Sequence, residues 1–390
     1  MELPCQFSTL YIYITFILFC NTRQHMRNFQ VMVLIGLFAV LVSFISIATR
    51  PDVPTTPYEI PQNSDSRMSI PADNPTTVEG VALGRLLFYE NLLSGNGKQN
   101  CGSCHRQEYS FTDGLAKAIG SMGDTLERNT MSLVNLAWQS EFFWDGRIKT
   151  LEKLVAIPIT HPKEMAQDTL KLVALLQNHS HYPALFNRAF GSDTITFTNV
   201  SKALAQFLRT IVTQGIVLPD HLKLMPVAGV SFYDQYKSKV SDTTHMGLFI
   251  RVSELCSSCH KSSIYSGFNM DFNMVNDSAH LMKVPTLINI KHTGPYMHDG
   301  RFATLSDVVK HYDEHISKLS IKNLDAERTL LVSTFTEYDK RELEQFFDLF
   351  TDTTLLTNPA YSNPFIQPSF NWDTYLSESL NVLAPPVKYK

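Results

Sequence analysis

Two short motifs concentrate the reactive side chains of this sequence: Cys101-Gly-Ser-Cys104-His105 and Cys256-Ser-Ser-Cys259-His260. Two thiols three positions apart can add across the two vinyl groups of one porphyrin. The histidine that follows then meets the iron axially. Half-sites for zinc would need their partner pair within roughly 15–20 residues, whereas these pairs lie 155 residues apart. A redox dithiol does not require the adjacent histidine. With six cysteines and thirteen histidines in 390 residues, roughly 0.003 matches to the pattern are expected by chance. The spacing therefore predicts two covalent c-type haems, one on Cys101 and Cys104 with His105 on its iron, the other on Cys256 and Cys259 with His260 on its iron. Only Cys5 and Cys20 are then left over.

The elements that must position these groups follow from composition and pattern. Hydrophobic residues make up 44% and charged residues 18%, below the usual charged fraction of about 25%, which excludes intrinsic disorder. The net charge of −4 leaves no basic excess for a nucleic-acid surface. From Val31 to Ala48 the chain runs 18 residues without a charge behind Arg23 and Arg27. That run predicts an N-terminal apolar helix within 1–50, either a membrane anchor or a signal cut near Ser46-Ile-Ala48. A start at Met26 would leave an ordinary export signal, so the body is expected outside the cytoplasm, in the periplasm. A tether over 51–75, rich in Pro, Ser, Thr and Asp, follows. Apolar residues at helical spacing over Thr198–Val212, Leu305–Tyr312 and Lys340–Phe350, with few alternating patterns, predict a mainly α fold. The two motifs imply two c-type cytochrome-like domains, 76–222 and 223–356, each holding one haem and joined by a hinge near Val217–Val230. A proline-rich tail, 357–390, is expected to drape over the surface.

Further motifs occur in a fixed order around the cysteines: Leu92-Leu-Ser-Gly-Asn-Gly, Ser110-Phe-Thr-Asp-Gly114, Phe143-Trp-Asp-Gly-Arg147, Pro158 through Glu164-Met165, Lys283-Val-Pro-Thr-Leu287 and Pro295-Tyr-Met-His-Asp-Gly300. On these residues the chain resembles the diheme cytochrome c peroxidase and MauG family from about Thr76 to Thr354. The resemblance implies that Glu164 is the distal carboxylate. It would take a proton from bound peroxide and return it to the leaving oxygen, as a partly desolvated carboxylate can. Read by itself, Glu164 is a solvated side chain at a helix start. Trp144 resembles the family's indole between the haems, a relay for electrons, and Pro158 its proline over the same haem. One departure lies ten residues after Trp144, where Leu154 stands in place of the usual glutamine.

Two further departures bear on the irons. Many relatives hold a histidine ahead of the Arg-Asn pair and must displace it before reacting. Here Ser121 takes that place before Arg128-Asn129, with Met122 as a weak substitute ligand, and no histidine occurs from 106 to 160. The first haem is therefore expected to be open to peroxide without reductive activation. The peroxidases place a methionine fourteen residues after His298; this chain has Tyr312, as in the MauG-type enzymes. Tyr312 is the expected distal ligand of the second iron and His311 the competing one, about 100° away around the helix. Tyr312 also extends the apolar stripe of Leu305, Val308 and Val309, behind Thr304 as cap. The family's calcium ion would fall to Asn129, Thr293 and Pro295 through oxygen atoms.

The resemblance implies an oxidoreductase reducing hydrogen peroxide to water. Electrons would enter at the second haem from a small c-type cytochrome or copper protein. The alternative is MauG-like oxidation of side chains on a partner protein through a high-valent diheme state. Ser121 and Tyr312 favour this alternative, whereas Glu254, where MauG has a surface tryptophan, speaks against it. A pure electron carrier would have no use for Glu164. A homodimer, the form of many relatives, is compatible with the pattern.

Overall fold

Thr77 opens the first helix, α1 (Val78–Phe88), by accepting a hydrogen bond from the Gly80 amide at 3.0 Å. The computed structural model describes residues 55–60, 68–213, 260, 270–272, 281–318, 347–348 and 350–375. The N-terminal apolar run, Cys256, Cys259 and the expected hinge lie outside the described residues. Among the described residues no helix is long and apolar enough to cross a membrane.

After α1 come the one-turn α2 (Cys101–Cys104), α3 (Leu151–Thr160), α4 (Thr169–Gln177), α5 (Tyr182–Phe190) and α6 (Phe197–Thr210). A short antiparallel pair, β1 (Met270–Phe272) with β2 (Leu281–Lys283), precedes α7 (Leu305–Lys318) and α8 (Thr353–Thr357). The expected helices at Thr198–Val212 and Leu305–Tyr312 are thus present as α6 and α7, the latter longer than expected. Side chains of α1 and α6 form the centre of the core, with Leu83, Leu86 and Leu87 against Ala203, Leu204 and Phe207. A polar seam closes one end. Gln206 Oε1 accepts from the Thr77 amide and its Nε2 donates to Asn74 Oδ1, both at 2.9 Å. Asn74 donates in turn to Glu152, which also receives the buried guanidinium of Arg209. Buried charge is tolerated here because it is paired.

The two halves repeat one another. Thr150 caps α3 and Thr304 caps α7, the latter with Asp307 Oδ2 accepting from the Thr304 amide. Asn135 and Asn289 both sit in the left-handed region, φ 61° and 56°, where asparagine is among the residues best tolerated. Each donates its amide N–H to a carbonyl at the end of a following segment, Ile211 and Phe350. The loops Phe143–Gly146 and Met297–Gly300 are matched as well: the first residue of each has positive φ, and a bridge closes each, Phe142 to Ile148 and Tyr296 to Phe302. The halves meet through these loops. The Asn129 amide donates to the His298 carbonyl at 2.9 Å, and the Lys283 amide donates to the Trp144 carbonyl at 2.8 Å.

The tail departs from expectation. Rather than draping over the surface, its residues 357–375 pack into the first half: Tyr361 is buried, donating its hydroxyl to the Thr210 carbonyl and accepting the Tyr89 hydroxyl at its own carbonyl. The Arg85 guanidinium donates to the carbonyls of Pro359 and Ser362, and Tyr375 donates to the Ala82 carbonyl. Prolines that read as surface here shape short turns that deliver aromatic side chains.

At Gly300, φ is +67° and an added Cβ would lie 2.4 Å from the Ala116 carbonyl oxygen. Gly300→Ala is expected to cost at least about 1–2 kcal/mol from the left-handed backbone alone, more with the clash. A urea-unfolding midpoint equal to that of the parent protein would refute this.

Candidate active site

Helix α2 carries Cys101 and Cys104 on a single turn, and both line a cavity of 540 Å³ together with His105. That volume lies within the range of about 300–1,000 Å³ usual for cofactor sites. The two cysteines are not joined in a disulfide. Burial pushes their thiols up, Cys101 to about 12 and Cys104 to about 11. This is the reverse of what a redox dithiol or a zinc-thiolate site requires. His105 is held by Ser110-Phe-Thr-Asp-Gly114. Its Nδ1 donates to the Phe111 carbonyl at 2.8 Å, where Ser110 and Phe111 both take positive φ. Burial also lowers its proton affinity, so the ring is neutral with its lone pair on Nε2, the form that ligates a metal. His260 repeats the arrangement, its Nδ1 2.8 Å from the Pro285 carbonyl. A neutral imidazole, two protonated thiols and a cavity of this size fit a covalently attached haem.

The opposite wall of the cavity comes from the end of α3. Thr150 caps the helix, Pro158 lies inside it, and Leu154, Val155 and Pro158 face the cavity. Past Thr160 the chain folds back through a turn in which Glu164 and Ala166 both donate their amides to the His161 carbonyl. This turn presents Glu164 to the cavity. Two distant motifs clamp it. From Leu92-Leu-Ser-Gly-Asn-Gly, the Gly95 amide donates to the Met165 carbonyl at 2.7 Å, and the Leu92 and Ser94 carbonyls accept Gln167 Nε2. From the other side, the Ser121 amide donates to the Glu164 carbonyl at 2.7 Å. Gly120 has to be glycine there, because a Cβ would stand 1.8 Å from the Lys163 carbonyl. Burial pushes the Glu164 carboxyl upward, against the opposing pull of His161 and Arg147.

Ser121 itself does not line the cavity, and Met122 is 61% exposed and lies outside it, so Met122 is not placed as a substitute ligand. The first histidine after His105 stands just beyond residue 160. His161 lines the cavity with its Nδ1 3.7 Å from Glu164 Oε1 and without a hydrogen-bond partner.

Trp144 lies on the same cavity, its indole N–H donating to the Asn129 carbonyl at 2.9 Å. Its ring is 6.4 Å from that of His298, tilted by 68°. Trp144 and His298 occupy matching places in the two repeated loops, a pairing visible in the sequence as Trp-Asp-Gly-Arg against His-Asp-Gly-Arg. Asn129 is buried; its Nδ2 donates to Leu115 O, and among the described residues its Oδ1 accepts no hydrogen bond. Thr293 and Pro295 are half-buried, and among the described residues no hydrogen bond joins either to Asn129. On α7, His311 is buried against Phe302, and Tyr312 is half-buried with its ring 5.5 Å from that of His311. Lys283, absent from the sequence-derived site, also faces the cavity.

The di-haem cytochrome c peroxidase family pattern matches residues 78–242. The chain is 31% identical over 268 residues to the methylamine utilization protein MauG of Methylophilus methylotrophus, covering 63% of this chain and 76% of that one. The chain belongs to this di-haem peroxidase and MauG family. It is also 28% identical over 314 residues to the cytochrome c551 peroxidase of Nitrosomonas europaea, covering 77% and 87% of the two chains. A crystal structure of a MauG-like protein associated with microbial copper homeostasis matches with a TM-score of 0.61 at 27% identity, over 78% of this chain and all of that one. Family membership makes the protein an oxidoreductase of the peroxide-acting class and implies two c-type haems.

The upward shift of Glu164 has a stability consequence. A carboxyl whose pKa is raised on folding contributes most below its unfolded pKa, and the contribution is lost as pH rises through the folded value. Glu164→Gln is therefore expected to raise Tm at about pH 7 and to lose that advantage near about pH 4, the ordinary carboxylate range. A Tm at neutral pH that falls on substitution would contradict the burial argument.

Proposed function

We propose that the protein is a periplasmic diheme peroxidase that converts hydrogen peroxide, two electrons and two protons into two water molecules. The observation that carries this reading is Glu164, held on the wall of the Cys101–His105 cavity with its proton affinity raised by burial. Haem, when bound by Cys101, Cys104 and His105, supplies the iron at which peroxide is reduced. Glu164 takes the proton from one peroxide oxygen and delivers it to the oxygen that leaves. Its raised pKa suits both transfers, since a base that is also to act as acid works best near the operating pH. Leu154, Val155 and Pro158 keep the surroundings apolar, which limits competing water. Ser121 and Met122 supply no side chain to the cavity, which supports a first haem open to peroxide without prior reduction.

Cys256, Cys259 and His260 would hold the second haem, which would accept electrons from a small c-type cytochrome or a copper protein. Trp144, fixed by Asn129 and set beside His298 where the halves meet, would serve as the relay between the two sites. Tyr312 would supply a further ligand to the second haem's iron. Oxygens of Asn129, Thr293 and Pro295 would hold a calcium ion. Asn129 Oδ1 supports this assignment, because the Asn129 backbone carbonyl is already engaged by Trp144.

A second reading, oxidation of side chains on a partner protein, is favoured by the identity to MauG sequences, 31% and 32%, and by Tyr312. Against it, Trp138 is buried at 3% exposure, so among the described residues it gives no surface exit for a hole.

Steady-state turnover of peroxide with reduced cytochrome c separates the two. The peroxidase reading expects rapid turnover that falls by about 10²–10⁴ in Glu164→Gln. Negligible turnover, with peroxide oxidising both haems, would favour the second. EPR of the oxidised protein is expected to show one high-spin and one low-spin haem, and Tyr312→Phe to alter the low-spin signal alone. Two low-spin haems would give the first iron a sixth ligand, and an unchanged signal in Tyr312→Phe would remove the tyrosine from the coordination sphere.

A further inference from the structure

Lys283 is 5% exposed. It stands at the end of β2, where its amide is fixed to the Trp144 carbonyl, and its side chain lines the cavity formed by Cys101, Cys104 and His105. Among the described residues no acceptor lies within hydrogen-bond reach of its Nζ. Of the carboxylates nearby, Glu141 lends Lys283 electrostatic support from a distance but is paired with Lys149, and Asp145 is paired with Arg147. Glu164 is across the cavity with His161. A buried ammonium without a partner is costly, and proteins retain one where an anion completes it. The matching position in the first half is Asn129, a neutral amide whose Nδ2 is already used on the Leu115 carbonyl. The fold thus places a buried cation without a hydrogen-bonded carboxylate at the first cavity, and a neutral amide at the equivalent place in the repeat.

We infer that the Lys283 ammonium pairs with a propionate carboxylate of the haem held by Cys101 and Cys104, so that a lysine of the second half anchors the cofactor of the first. This rests on the proposal that this cavity holds a haem. The cavity needs an anion at that point, and haem carries two carboxylates at its edge. Burial, which pushes the Lys283 pKa down to about 8, is the cost that this pairing offsets. A cation beside one haem stabilises its reduced, less positive state relative to the oxidised one. Lys283 is a positioning residue in this role, and it raises the first haem's potential in the direction that draws electrons past Trp144.

The test uses the purified holoprotein. Haem content per chain is counted first; an empty first site would sink both this inference and the reading it rests on. With both haems present, spectroelectrochemical titration of Lys283→Met is expected to show a lower midpoint potential at the first haem, an unmoved second haem, and recovery towards the parent value in Lys283→Arg. No shift in Lys283→Met, or a shift confined to the second haem, would overturn the pairing while leaving the haem assignment intact. Should Lys283→Met not yield folded protein, resonance Raman of the unmodified protein decides. The propionate bending mode of the first haem is expected at its hydrogen-bonded position, and a free-carboxylate position would overturn the inference.

Discussion

Two backbone hydrogen bonds hold this molecule's chemistry in register: Asn129 N–H to the His298 carbonyl, and Lys283 N–H to the Trp144 carbonyl. They are reciprocal, each running from the strand-like segment of one half to the tight loop of the other. Side-chain substitutions leave backbone groups in place, so such a link tolerates sequence drift better than a salt bridge would. Everything that must act across the halves hangs from it. Trp144 and His298 face one another because their loops are tied crosswise, and Lys283 reaches the first cavity because its amide is tied to Trp144. The strain of placing Phe143 and Met297 at positive φ is concentrated in the same two loops, where bulky residues are seldom found in that conformation without a local demand.

The motif residues divide into those that do chemistry and those that hold the chemistry still. Under the proposed function, Cys101, Cys104, His105 and Glu164 belong to the first group. Ser94, Gly95, Gly120, Phe111 and Pro285 belong to the second. Phe111 and Pro285 fix the histidine rings through their carbonyl oxygens, a task of which their side chains give little hint.

What could be read from the sequence followed from covalent or periodic demands. Two cysteines, two intervening residues and a histidine are dictated by the shape of a porphyrin edge, and they are legible without a fold. Thr304 announces a helix start, and the apolar spacing of Thr198–Val212 announces α6 to within two residues. Burial created by topology was not legible. Lys283 reads as a surface charge until the chain places it under the first cavity. His161 reads as a solvated residue of a turn until the turn folds back against Glu164. Tyr361 lies in a stretch whose prolines suggest an exposed tail, yet it is buried. In each case the information lies in a contact with residues more than a hundred positions away or in a chain reversal that no local pattern marks.

The tail carries a consequence of its own. Residues 353–375 supply Leu355 and Tyr361 to the core around α1, and receive Arg85 and Tyr89 from it. A chain synthesised from its N-terminus reaches these residues only after both cysteine pairs. The compartment built around the first pair is therefore begun early and closed late, with the second pair made in between. Its wall on that side waits for about 250 residues after Cys104, so the interval for loading the first cofactor is set by that length of chain.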